Sequence, residues 1–84
     1  MRDPARIQEL FNLLNQLWLV DPDLRFNQLI YILQSEFSQK NNGDGEIKEI
    51  AKDGYEKIGY DLFHLEDDKF IDYLKTKIPN EKGI

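Results

Sequence analysis

The chain has 84 residues, 40% hydrophobic and 12% aromatic, with 16 acidic and 11 basic side chains giving a net charge of −5. A chain of this size makes one domain that buries roughly 60% of its unfolded surface, and its apolar content is too high for a disordered segment. With no cysteine it has no disulfide framework, thiolate metal site or cysteine nucleophile, and its acidity opposes phosphate backbones and anionic lipids.

Asp3 followed by Pro4 marks a helix start: the carboxylate can accept backbone N–H bonds, and proline is tolerated at the first helical position. The spacing predicts a first helix over about residues 4–20. Ile7, Leu10, Phe11, Leu13, Leu14, Leu17, Trp18 and Val20 cover about half its circumference, with Gln8, Glu9, Asn12, Asn15 and Gln16 opposite. A stripe that wide suits two neighbours. Pro22 lacks an amide hydrogen and biases Asp21 away from helical angles, so the helix ends near Val20. Trp18 beside this joint reads as a core anchor, an exposed interaction residue being the alternative.

A second helix is predicted over about 25–38, with Phe26, Leu29, Ile30, Leu33 and Phe37 on its buried line and Ile32 flanking it. Residues 39–45, rich in Asn, Gly and Asp, form a mobile loop. Ile47, Ile50, Ala51, Gly54, Tyr55 and Ile58 then recur at helical spacing and predict a third helix over about 45–58, capped by Asp44 and stopped at Gly59. Gly54 within it would cost roughly 1 kcal/mol relative to alanine. After an extended connector, a fourth helix is predicted over about 66–78. Glu66, Asp67 and Asp68 complement its positive end, Lys75 and Lys77 its negative end, and Phe70, Ile71, Leu74 and Ile78 its buried side. Pro79 limits continuation, and residues 79–84 read as a frayed tail. The expected fold is a single compact all-α domain of about four helices, a hairpin of the first two closed by the last two. Met1-Arg2-Asp3-Pro4 lacks the apolar core of a signal peptide and no run is long enough to span a bilayer. The expected setting is therefore cytoplasmic, with no membrane.

Arg2-Asp3-Pro4, Arg6-Ile7, Trp18, Pro22-Asp23-Leu24-Arg25-Phe26, Gln28-Leu29-Ile30 and the stretch from Asp61-Leu62-Phe63 to Glu66-Asp67-Asp68 carry a resemblance. Together they resemble a family of small bacterial and phage proteins with no assigned activity and, more distantly, the YihD-like proteins. The resemblance covers most of the chain outside residues 38–60, where the family is shorter. It implies a compact helical fold and a bacterial or mobile-element origin, and it carries over no catalytic residue.

Several clusters invite a chemical reading. Asn42-Gly43-Asp44-Gly45-Glu46-Ile47 resembles part of an EF-hand loop, but with Gly45 at loop position 6 the first ligand position falls on Lys40 and the last on Ala51. A polar turn is the better reading. His64, Glu66, Asp67 and Asp68 form the cluster around the single histidine, a weak site candidate whose acids the helix dipole already explains. Ser35 and Ser38 lie in no nucleophile motif. No catalytic residue, metal ligand or cofactor is assigned.

The joint at Pro22 also permits a helix-turn-helix reading in which the second helix offers Asn27, Tyr31, Gln34, Ser35 and Ser38 to a DNA groove. Phosphate contacts need clustered Lys or Arg, and only Arg25 stands nearby, so nucleic acid is the alternative rather than the preferred partner. The same face, polar but nearly uncharged, suits protein contact through Asn27, Tyr31, Ile32, Gln34 and Ser35, unless the third helix simply covers it. The expected function is that of a non-enzymatic interaction module that self-associates as a homodimer or docks on a protein, including a basic host partner bound by a phage-derived chain.

Overall fold

The computed structural model describes residues 2–78, in the order α1 (Ala5–Val20), α2 (Phe26–Lys40), β1 (Glu46–Ile50), β2 (Glu56–Tyr60) and α3 (Asp67–Lys77). These elements form two compact units, one holding α1 and α3 and the other, Phe26–His64, holding α2 and both strands. The tail expected at 79–84 lies outside the described residues. No described helix is long and apolar enough to cross a membrane.

In the first unit the Asp3 carboxylate accepts the Ala5 N–H at 2.9 Å and Pro4 begins the helical turn, as the Asp-Pro signal implies. At the other end the chain turns through residues 21–25. There the Asp21 N–H donates to the Trp18 carbonyl and the Leu24 N–H to the Asp21 carbonyl, at 3.0 and 3.1 Å. The Trp18 indole Nε1–H donates to the Leu24 carbonyl at 2.8 Å, so the aromatic ring ties the helix end to the far side of the proline joint. α3 carries Asp67 and Asp68 in its first turn and Lys75 and Lys77 in its last, the arrangement its dipole favours. Leu13 of α1 and Ile71, Tyr73 and Leu74 of α3 are buried. Tyr73 was not on the expected buried line; its ring lies 5.7 Å from that of Phe70.

The second unit overturns the all-α expectation. Residues 45–58 do not form a helix: β1 and β2 pair antiparallel, with Glu46 opposite Tyr60, Lys48 opposite Ile58 and Ile50 opposite Glu56. The domain is therefore three helices and a two-stranded sheet, not about four helices. The physical reason lies in residues 51–55. Ala51 accepts the Gly54 N–H at 2.9 Å and donates its own to the Tyr55 carbonyl at 2.8 Å, closing a three-residue loop. Gly54 has φ +88°, the left-handed conformation such a loop demands at its last position, and the Asp53 carboxylate accepts the Tyr55 N–H at 3.0 Å. Oppositely charged Glu49 and Lys57 face each other across the ladder.

The polar turn before the hairpin caps α2 rather than a following helix. The Gly43 N–H donates to the Ser38 carbonyl at 2.7 Å with Asn42 at φ +59°, which ends the helix in a left-handed cap. Gly45, at φ +82°, permits a close approach: a Cβ there would lie 2.5 Å from Leu62 Cδ2 and 3.0 Å from the Asp61 carbonyl oxygen. The Asp61 N–H donates to the Gly45 carbonyl at 2.8 Å, extending the hairpin's closure by one more bond. Leu29, Leu33, Phe37 and Ser38 are the buried side chains of α2.

Candidate functional site

Three ion pairs fasten α1 and its leading residues to α3 within the first unit. Arg2 donates to both Glu66 carboxylate oxygens at 3.0 and 2.9 Å, Arg6 Nε pairs with Asp67 at 2.6 Å, and Lys75 Nζ pairs with Glu9 at 2.9 Å. Hydrogen bonding to Arg2, reinforced by its charge, holds the Glu66 carboxyl below its ordinary range and raises the Arg2 guanidinium in turn. Hydrogen bonding to Glu9 likewise raises the Lys75 ammonium. These groups line a groove of about 450 Å³, together with Asp3, Asp68, Ile71 and Asp72. Its cations are each committed to a carboxylate, so the groove binds the two helical segments to one another and presents no unpaired positive charge to a ligand.

The pairs account for both charged residues of α1, Arg6 and Glu9. From Leu10 to Val20 the helix carries no Asp, Glu, Lys or Arg, in a chain of which 32% is charged. Its apolar stripe is wider than the edge it buries. Leu13 is buried and Leu10, Leu14, Leu17 and Trp18 are half-buried, whereas Ile7 is 49%, Phe11 63% and Leu19 66% exposed. Ile7, Phe11 and Leu19 fall on one ridge of steps of four, with exposed Asn15 completing it. Beside the ridge Asn15, Trp18, Leu19 and Pro22 outline a hollow of about 220 Å³. That is below the usual size of a small-molecule site and suited to one inserted side chain.

The α2 residues expected to bind a partner are in part used inside their own unit. Tyr31 stacks edge-on against Tyr60 with ring centroids 5.5 Å apart, and Ser35 Oγ shares a hydrogen bond with Tyr60 Oη at 3.1 Å. The hairpin thus does for this face what the expected third helix would have done. Asn27 and Ile32 are exposed and Gln34 is half-buried. Ser38, assigned to the same polar face, is buried at 1% exposure and its hydroxyl has no hydrogen-bond partner.

His64 is exposed, its ring edge-on to that of Phe63 at 5.0 Å. Glu66 and Asp67 are occupied by Arg2 and Arg6, and Asp68 is exposed. Among the described residues no three His, Asp or Glu side chains are gathered where they could hold a metal ion. The ridge on α1 was visible in sequence as a stripe too wide for one neighbour, but nothing in the spacing says which of its edges stays open. Comparison with protein-family models, with curated proteins and with solved structures finds no match.

Proposed function

We propose that this chain is a non-enzymatic protein-interaction domain and that its contact surface is the open ridge of α1. The observation that carries the reading is the exposure of Ile7, Phe11 and Leu19 along one line of a helix that is already packed through its other edge. Scattered apolar residues are ordinary on a surface, but an aligned row flanked by uncharged amides is the composition of an interface core. Gln8 and Asn12 flank it and hydrogen-bond to each other at 3.0 Å, leaving the ridge rimmed by neutral groups. Nucleic acid is a poorer partner for this surface, because no Lys or Arg between Leu10 and Val20 is present to neutralise phosphate.

The test is site-specific photocrosslinking in the cells from which the chain comes. With Phe11 replaced by benzoylphenylalanine, irradiation yields a discrete protein adduct that the same probe at exposed Lys48 does not give. Absence of an adduct at position 11, or equal adducts at both positions, refutes the reading.

A further inference from the structure

We infer that Asn42 is the deamidation site of this chain and that the left-handed cap of α2 sets the rate of its conversion. Gly43 follows Asn42, and none of the other five asparagines precedes a glycine. The pairing matters because the reaction begins on the backbone. Once the Gly43 amide nitrogen has lost its proton to base, it attacks the side-chain carbonyl carbon of Asn42. A nitrogen–carbon bond to Cγ forms, the Cγ–Nδ2 bond breaks, and ammonia leaves with a proton taken from solvent. Water then opens the resulting succinimide ring at either carbonyl, giving aspartate or isoaspartate. The attacking nitrogen is unshielded by side chains: nothing lies within 4 Å of the position a Gly43 Cβ would occupy, and Asn42 is exposed.

The neighbouring candidates lack one requirement or another. Asp44-Gly45 and Asp53-Gly54 share the glycine but present a carboxylate, a far poorer electrophile than a carboxamide. The Asp53 carboxylate also accepts the Tyr55 N–H, and the Gly54 N–H is held by the Ala51 carbonyl at 2.9 Å. Asn41 precedes a bulkier residue, and its carboxamide donates to the Phe37 carbonyl at 2.8 Å.

The fold restrains the reaction at Asn42 itself. The Gly43 N–H donates to the Ser38 carbonyl at 2.7 Å, so base reaches it only when the cap opens, the same event that admits hydrogen exchange. A bond of this kind slows the attack about tenfold relative to the open chain. Conversion then loosens the cap. Isoaspartate lengthens the main chain by one carbon and moves the Gly43 N–H off the Ser38 carbonyl. Aspartate places a negative charge beside the C-terminal carbonyls of α2, where the helix dipole disfavours it. The Gly43 carbonyl accepts the N–H of Glu46, the first residue of β1, at 3.0 Å, so the disturbance reaches the start of the hairpin.

The test incubates the full chain in mildly alkaline buffer, with and without urea sufficient to unfold it, and follows it by anion exchange and peptide mapping. The first acidic species carries its change at residue 42, as a mixture of aspartate and isoaspartate. Urea accelerates its formation about tenfold, by the same factor as it accelerates hydrogen exchange at the Gly43 amide. Asn42→Gly keeps the left-handed conformation without the carboxamide and gives no such species over the same period. Conversion that begins at another asparagine, an acidic species that persists in Asn42→Gly, or a chain unchanged even in urea overturns the assignment of the site. Equal rates with and without urea, or a retardation unrelated to the exchange protection of Gly43, overturns the role of the cap.

Discussion

Gly54→Ala separates the hairpin from the helix that the periodicity predicts, because the two structures give opposite signs. In a helix interior, alanine would stabilise the chain by roughly 1 kcal/mol over glycine. In the hairpin Gly54 has φ +88°, and forcing an L side chain into the left-handed region costs roughly 1–2 kcal/mol. Nothing lies within 4 Å of the position a Cβ would occupy, so the penalty is conformational rather than steric. The lower entropy of the unfolded alanine chain offsets about 0.4–1 kcal/mol of it, leaving a net loss of about 1 kcal/mol. For a domain of this size that lowers the melting temperature by about 4–8 °C. D-alanine at the same position, introduced by chemical synthesis, fits the dihedral angles and raises the melting temperature instead. Thermal unfolding followed by circular dichroism reads all three proteins, and an L-alanine variant more stable than the wild type would refute the hairpin account.

Gly45→Ala destabilises more than Gly54→Ala, since its Cβ meets both the left-handed backbone and Leu62 Cδ2 at 2.5 Å; equal losses in urea titration would contradict this. Ser38→Ala removes a buried hydroxyl that has no partner, so stability holds or rises by about 1 kcal/mol, and a loss beyond about 1 kcal/mol would show that the hydroxyl is satisfied. Trp18→Phe deletes the indole bond to the Leu24 carbonyl and costs about 1 kcal/mol, read as a lower urea midpoint with unchanged slope. Stability also depends on pH through the exposed pairs of the first unit. Glu66 is lowered from its ordinary 4.5, so its contribution is present above that value and is lost as the pH falls through its folded value. Lys75 is raised from 10.5, so its contribution is full below that value and is lost as the pH rises through its folded value. Both effects are small and shrink at high salt, and a melting temperature that rises as acid is added would reverse the sign.

The helices were legible because their signals agree at several levels. Asp3-Pro4 opens α1, Pro22 closes it, and the acids and lysines of α3 fall at its dipole ends. The third helix failed because Ile47, Ile50, Ala51, Gly54, Tyr55 and Ile58 satisfy a spacing of three and four by coincidence. The β-branched and aromatic residues there, split by Asp53-Gly54, are equally the pattern of two strands and a turn. A glycine that weakens a helix is required in this loop, and the Asp53-Gly54 pair is the signal that distinguishes a turn from a helix here. The hairpin also determines how much of the α2 face is open. Tyr31 and Ser35 are distinctive on α2 because they serve Tyr60 of β2, which a helical reading of residues 45–58 could not place against them.

The central claim, that residues 46–60 pair as an antiparallel hairpin and not as a helix, is tested most directly by the backbone chemical shifts of the uniformly ¹³C,¹⁵N-labelled chain. Strand-type Cα shifts over Glu46–Ile50 and Glu56–Tyr60, with cross-strand proton contacts between Lys48 and Ile58, are the predicted result. Helix-type Cα shifts running unbroken over residues 45–58 would contradict it.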